Sequence, residues 1–243
     1  MPSAFRAYYD ASRSHRYSLL FALPLLLLYE LLELVAPIRS AGGVIRNGAD
    51  VILTSLFTAL IGPRGPLVFM ALVIGGALAL VWRDRRGGPT RLRWFALMLA
   101  ESAVLALVFG FVVGTATVHL LGPLHALAAG GGVPASALSR LTLSLGAGLY
   151  EELLFRVVIV ALISNGLRML GFSRFTAGAF ATFAGALLFS AFHYLGPLGE
   201  PYRLDSFVFR TIAGLAFSAL YLTRGFGITA WTHALYDVAV LLG

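Results

Sequence analysis

Along this chain the apolar positions gather into long unbroken runs separated by short polar stretches. Residues 1–16 are polar; an apolar run follows from Tyr17 to about Ala36, and others cover about 66–82, 94–120, 139–164, 175–195, 206–223 and 226–243. Each approaches the roughly 20 residues that a helix needs to cross the hydrocarbon core. The stretch from about Val51 to Ile61 is shorter, so it spans, lies in the interface or re-enters. The runs are rich in Leu, Ala, Phe and Gly without period-two alternation, so they do not read as strands of a β-barrel. The pattern predicts an all-α fold, a polytopic transmembrane helical bundle of seven or eight spans. The run at Tyr17 is too long for the core of a cleaved signal and further spans follow it, so it reads as a signal anchor. The clearest break is the loop with Gly130, Gly131, Gly132 and Pro134. It divides the chain into 1–138, N-terminal spans with an Arg-rich loop, and 139–243, where polar residues enter the apolar runs.

Composition excludes an ordinary soluble enzyme, since 59% of the residues are hydrophobic and 12% charged, against about 25% charged in soluble domains. All 18 basic residues are Arg, and they give a net charge of +7. They sit mainly between apolar runs and form no basic stripe with interleaved aromatics, so they read as topology signals and not as a nucleic-acid surface. If the stretch near Val51 does not span and the N-terminus is cytoplasmic, 11 loop arginines lie inside against 4 outside. If it spans and the N-terminus is outside, the split is 10 against 5. Both schemes put the cluster Arg83 to Arg93 inside. The lack of Cys excludes a disulfide framework, a thiolate nucleophile and a Cys-containing zinc site.

Glu30, Glu33 and Glu101, in or near the front runs, and His15, His119 and His125, at run ends or in loops, read as packing or interfacial residues. The later runs differ. Glu151, Glu152 and Arg156 lie within one of them, and each would cost about 2.5–3.5 kcal/mol unpaired at a span's centre. Glu152 and Arg156 are four apart, on one helical face, with the acid N-terminal to the base. Glu151 is turned about 100° from Glu152 and about 140° from Arg156, and a carboxylate left beside an ion pair is a candidate general base. In the next run Phe189 and His193 share a face, on a helix whose Gly178, Thr182, Gly185 and Ala186 admit a close neighbour. In the last, His233 and Asp237 are four apart. Alone, each motif has a bland reading: a structural knot, an interfacial histidine, a local His–Asp hydrogen bond. Convergence on one intramembrane site is more economical, because separate sites would leave separate penalties to offset.

Glu-Glu-x-x-x-Arg, then Phe-x-x-x-His, then His-x-x-x-Asp, on three successive spans, resembles the CPBP family of intramembrane proteases, also called the CAAX protease and bacteriocin-processing or Abi family. The resemblance covers about residues 139–243. It implies that Glu151 and His193 activate a water for peptide-bond hydrolysis, that His233 with position 237 holds the oxyanion, and that Glu152 with Arg156 is the supporting ion pair, with Phe189 a further supporting residue. Position 237 is Asn or Asp in that family, and an ionised Asp cannot donate a hydrogen bond to an oxyanion. Asp237 therefore orients His233, is itself protonated, or joins Glu151, His193 and His233 as ligand to a divalent metal such as zinc. The implied substrate is a membrane-tethered peptide or protein, cut near a hydrophobic or lipidated C-terminal segment. The implied location, with the Lys-free composition, is a bacterial inner (plasma) membrane. A proton-coupled transporter with a polar relay and a catalytically silent scaffold or immunity protein are the competing classes. Simple arithmetic from the inner span ends puts Glu151 about 20 Å deep, His193 about 27 Å and His233 about 10 Å. These depths do not coincide, and the outward position of His193 hints at access from the non-cytoplasmic side.

Overall fold

The computed structural model describes residues 4–40, 43–84, 90–121, 136–196 and 199–242; His125 and the break at Gly130–Pro134 lie outside them. Polar caps and glycine turns delimit the helices. Ser14 accepts a hydrogen bond from Tyr17 N and so separates α1 (Ala4–Ser12) from α2 (His15–Val35). A small antiparallel hairpin, β1 (Ile38–Ser40) and β2 (Gly43–Ile45), comes next and is a departure from helix that sequence periodicity does not anticipate. Asn47 caps α3 (Gly48–Ile61), which turns back onto α4 (Gly65–Arg83), and α5 (Leu92–Leu121) follows.

The helix bearing the carboxylate motif begins as α6 (Ala137–Gly146), runs through π-helical turns at Ala147–Glu151 and Leu153–Ile159, and ends as α7 (Val160–Met169). Gly171, with φ of 89°, reverses the chain, and Ser173 caps α8 (Arg174–Phe192). α9 (Leu204–Arg224) and α10 (Phe226–Leu242) are joined by the single residue Gly225 at φ of 81°.

Five helices, α2, α4, α5, α8 and α9, are long and apolar enough to cross a membrane. The other runs read as spans fall outside that measure for physical reasons. The motif-bearing helix is broken into shorter α and π pieces, and α10 has 17 residues. The stretch near Val51 is a helix of 14 residues, about 21 Å long and short of the hydrocarbon thickness.

Contacts between distant polar groups set the sidedness. His15 lies 3.5 Å from Asp84, Arg16 N donates to Asp84, and Arg91 N donates to Tyr17. Arg224 pairs with Glu101, at 2.6 Å, and donates to Ser12, while Tyr8 donates to the same Glu101. The α1–α2 junction, Asp84, Arg91 and the α9–α10 turn thus share one side. Of the two schemes drawn from arginine counts, this arrangement agrees with the one that keeps α1 and the stretch after α4 on the same side. Glu101 has the packing role expected of it.

The core lies where α2, the motif-bearing helix, α8, α9 and α10 meet, around Leu25, Tyr29, Leu53, Tyr150, Phe155, Phe189 and Phe217. Much of α4 and α5 instead exposes Leu, Val and Phe outward, the surface a bilayer covers without penalty. Close backbone approach defines the core: a Cβ on Gly148 would lie 2.4 Å from Ala230 O on α10, and one on Gly214 would lie 3.0 Å from Ala186 on α8.

Candidate active site

The motif-bearing helix and α8 form an antiparallel hairpin whose register is fixed by the turn at Gly171. Val160 meets Gly185, Phe155 meets Phe189 with ring centroids 5.3 Å apart, and Glu151 meets His193. Glu151 and His193 lie equally far from Phe172 in the chain, and that equal count brings them level. The discordant depths also resolve. The hairpin continues 18 residues past Glu151 to Met169, whereas α10 begins seven residues before His233. At 1.5 Å per residue its turn reaches about 17 Å beyond the start of α10, so the inner ends are not level while the three residues are.

Glu151, Glu152 and Arg156 are all buried. Glu152 Oε2 lies 3.1 Å from Arg156 Nε, the pair expected from their spacing, and Glu152 Oε1 lies 2.8 Å from His233 Nδ1. One carboxylate therefore serves two cation-forming groups on two helices. The π turns change the face arithmetic made for a regular α-helix, because i→i+5 bonding widens the turn and brings Glu151 and Arg156, five apart, closer to one face.

Phe189 is the apolar hub. Its ring faces the Arg156 guanidinium at 4.5 Å, His193 at 5.1 Å and His233 at 6.0 Å. Phe217 of α9, which sequence spacing does not single out, stacks on the His233 ring at 4.3 Å and 23°. Beyond the end of α8, Glu200 N donates to His193 O, and Arg210 grips the Glu200 carboxylate at 2.8 and 2.9 Å.

The polar atoms have definite partners. His193 Nδ1 lies 2.9 Å from Phe189 O; a carbonyl only accepts, so Nδ1 carries the proton and the neutral ring presents a lone pair at Nε2. That Nε2 faces Glu151 Oε2 at 4.0 Å, and Oε2 accepts no hydrogen bond from another described residue. Glu151 Oε1, by contrast, accepts from Asn47 Nδ2 at 3.0 Å. His233 turns its other nitrogen, Nε2, toward Asp237 Oδ2 at 3.6 Å.

All seven residues singled out by motif, Glu151, Glu152, Arg156, Phe189, His193, His233 and Asp237, therefore meet in one place. Asn47 and Phe217 join them. No local signal marks Asn47, because a polar residue before a helix reads as a cap, and its partner is 104 residues away. The four candidate metal ligands do not fit a resident divalent ion. Among the described residues no three His, Cys, Asp or Glu side chains converge on a common centre, as a divalent ion held by protein ligands needs.

Residues 133–239 match the family described as Rce1-like, type II CAAX prenyl endopeptidase Rce1-like. No curated protein and no solved structure matches the chain. The matched segment holds every motif residue and leaves Asn47 outside it. Over that segment the chain is similar to the CAAX prenyl endopeptidases, in agreement with the resemblance carried by the three motifs.

Proposed function

We propose that the protein is an intramembrane endopeptidase that cuts a membrane-associated peptide or protein near a hydrophobic or lipidated C-terminal segment, using a water activated by Glu151 and His193. One observation carries this reading: two proton acceptors, Glu151 Oε2 and His193 Nε2, face each other at 4.0 Å inside the bundle. A water about 2.8 Å from both subtends about 90° between them, close to the angle between its own two O–H bonds. It donates both hydrogens and turns its lone pairs outward, toward the scissile carbonyl.

Attack forms the new C–O bond and sends one water proton to Glu151 Oε2 while His193 keeps hold of the other. The carbonyl becomes an oxyanion. With Nδ1 engaged by Glu152, only the imidazolium form of His233 has a second N–H to offer, at Nε2, and Asp237 beside it balances that charge. Collapse breaks the C–N bond, and the proton held by Glu151 passes to the leaving amine. Asp237 thus acts on the oxyanion through His233, which accommodates a carboxylate where an amide would donate directly. No step uses a metal.

The test is cleavage of a panel of membrane-tethered peptides by the purified protein in liposomes, with Glu151→Ala and His193→Ala beside the wild type and with chelator added. Product from the wild type alone, at a rate the chelator leaves unchanged, is the expected result. Product from Glu151→Ala at the wild-type rate would overturn the reading.

A further inference from the structure

We propose that Asn47, outside the family segment, is a positioning residue for the catalytic carboxylate; this rests on Glu151 being the base. The amide orientation is fixed by its other bond. Asn47 Oδ1 accepts from Ala49 N at 2.9 Å as the cap of α3, so the group presented to Glu151 is the NH2, which donates to Oε1 at 3.0 Å. Oε1 is thereby committed as an acceptor, and Oε2 is left turned to His193. Capping requires only the oxygen; the second bond, through the nitrogen, serves Glu151.

The residue is held from behind. Asn47 N donates to Tyr29 Oη at 3.2 Å, Tyr29 donates to Asp50 at 2.9 Å, and Asp50 is paired with Arg46. Tyr29 is fully buried and packs edge-on against Tyr150, the neighbour of Glu151. Two glycines let the pieces close up. A Cβ on Gly48 would lie 2.6 Å from the Phe192 ring at the end of α8, and one on Gly146 would lie 2.8 Å from Asn47 Cβ. The start of α3 is thus wedged between the two elements that carry Glu151 and His193.

The test compares Asn47→Ser and Asn47→Asp in the full-length protein. Ser and Asp cap a helix as well as Asn does, but Ser is too short to reach Glu151 and Asp has no donor. Both variants are expected to unfold within a few degrees of the wild type in detergent. Their kcat should fall about 10- to 100-fold with KM within about twofold, as a base turned out of line requires, and Asn47→Asp should fall further. Wild-type kcat in both variants overturns the proposal, and so does a fall in kcat matched by lost thermal stability in both, which marks a structural cap. Glu151→Gln in the same assay separates the two readings: if it still cleaves, the assignment of the base fails; if it is inactive while both Asn47 variants turn over normally, only the positioning role fails.

Discussion

Glu152 is buried between Arg156 and His233, so its loss and the loss of Glu151 have different signatures. Arg156→Met leaves a buried carboxylate short of a partner, and breaking such a pair costs about 3–5 kcal/mol. A marked drop in the thermal unfolding midpoint in detergent is expected. Glu151→Gln keeps an oxygen for Asn47 and removes only the base, so it should unfold like the wild type while losing turnover by about 100-fold or more. Asp237→Asn places an amide where the family also carries one, and kcat should stay within about tenfold of wild type, whereas Asp237→Leu should lose about 100-fold. Single-turnover cleavage checks both. These roles were legible to different degrees. Partners four apart on one helix, Glu152 with Arg156 and His233 with Asp237, are readable from spacing, since helical geometry makes them neighbours. The bond between Glu152 and His233 crosses between helices and follows from packing alone.

At the scale of elements, the hairpin register is implicit in the chain: Glu151 and His193 flank the Gly171–Ser173 turn symmetrically, and an antiparallel pair needs no more. The π turns leave no such trace, because the motif's polar positions dominate the pattern there. Gly148, within the first of them, packs against α10. Gly148→Ala puts a methyl 2.4 Å from Ala230 O; the backbone must move, and overpacking of this kind costs about 1–3 kcal/mol. Reduced stability together with reduced turnover is expected, since His233 rides on α10. Gly178→Ala is the contrast. Sequence reading groups Gly178 with Gly185 as a close-approach position, but nothing lies within 4 Å of a Cβ at Gly178, whereas Val160 lies 2.9 Å from one at Gly185. The first substitution should be neutral in thermal unfolding and the second destabilising.

For the whole molecule, the helical character and the grouping of the C-terminal motifs were legible because hydropathy and polar spacing are local signals. Arginine counting narrows sidedness to two schemes, and the contacts of Asp84 with His15 and Arg16 agree with the one that puts them on the same side. A chain without cysteine allows a direct check by single-Cys labelling. Phe5→Cys and Leu92→Cys should react from one face of sealed vesicles, and Tyr202→Cys, before the start of α9, from the other. The first 60 residues give little to read beyond apolar runs, yet they deliver Asn47 to a carboxylate 104 positions downstream. That separation orders events during synthesis. A nascent chain carries its arginine loop and first helices into the bilayer long before Glu151 emerges, and the carboxylate acquires its donor only when α3 and the hairpin have docked. A full-length copy whose α3 has not docked holds all the motif residues and lacks the bond proposed to aim one of them, so on that proposal full turnover waits for the finished bundle.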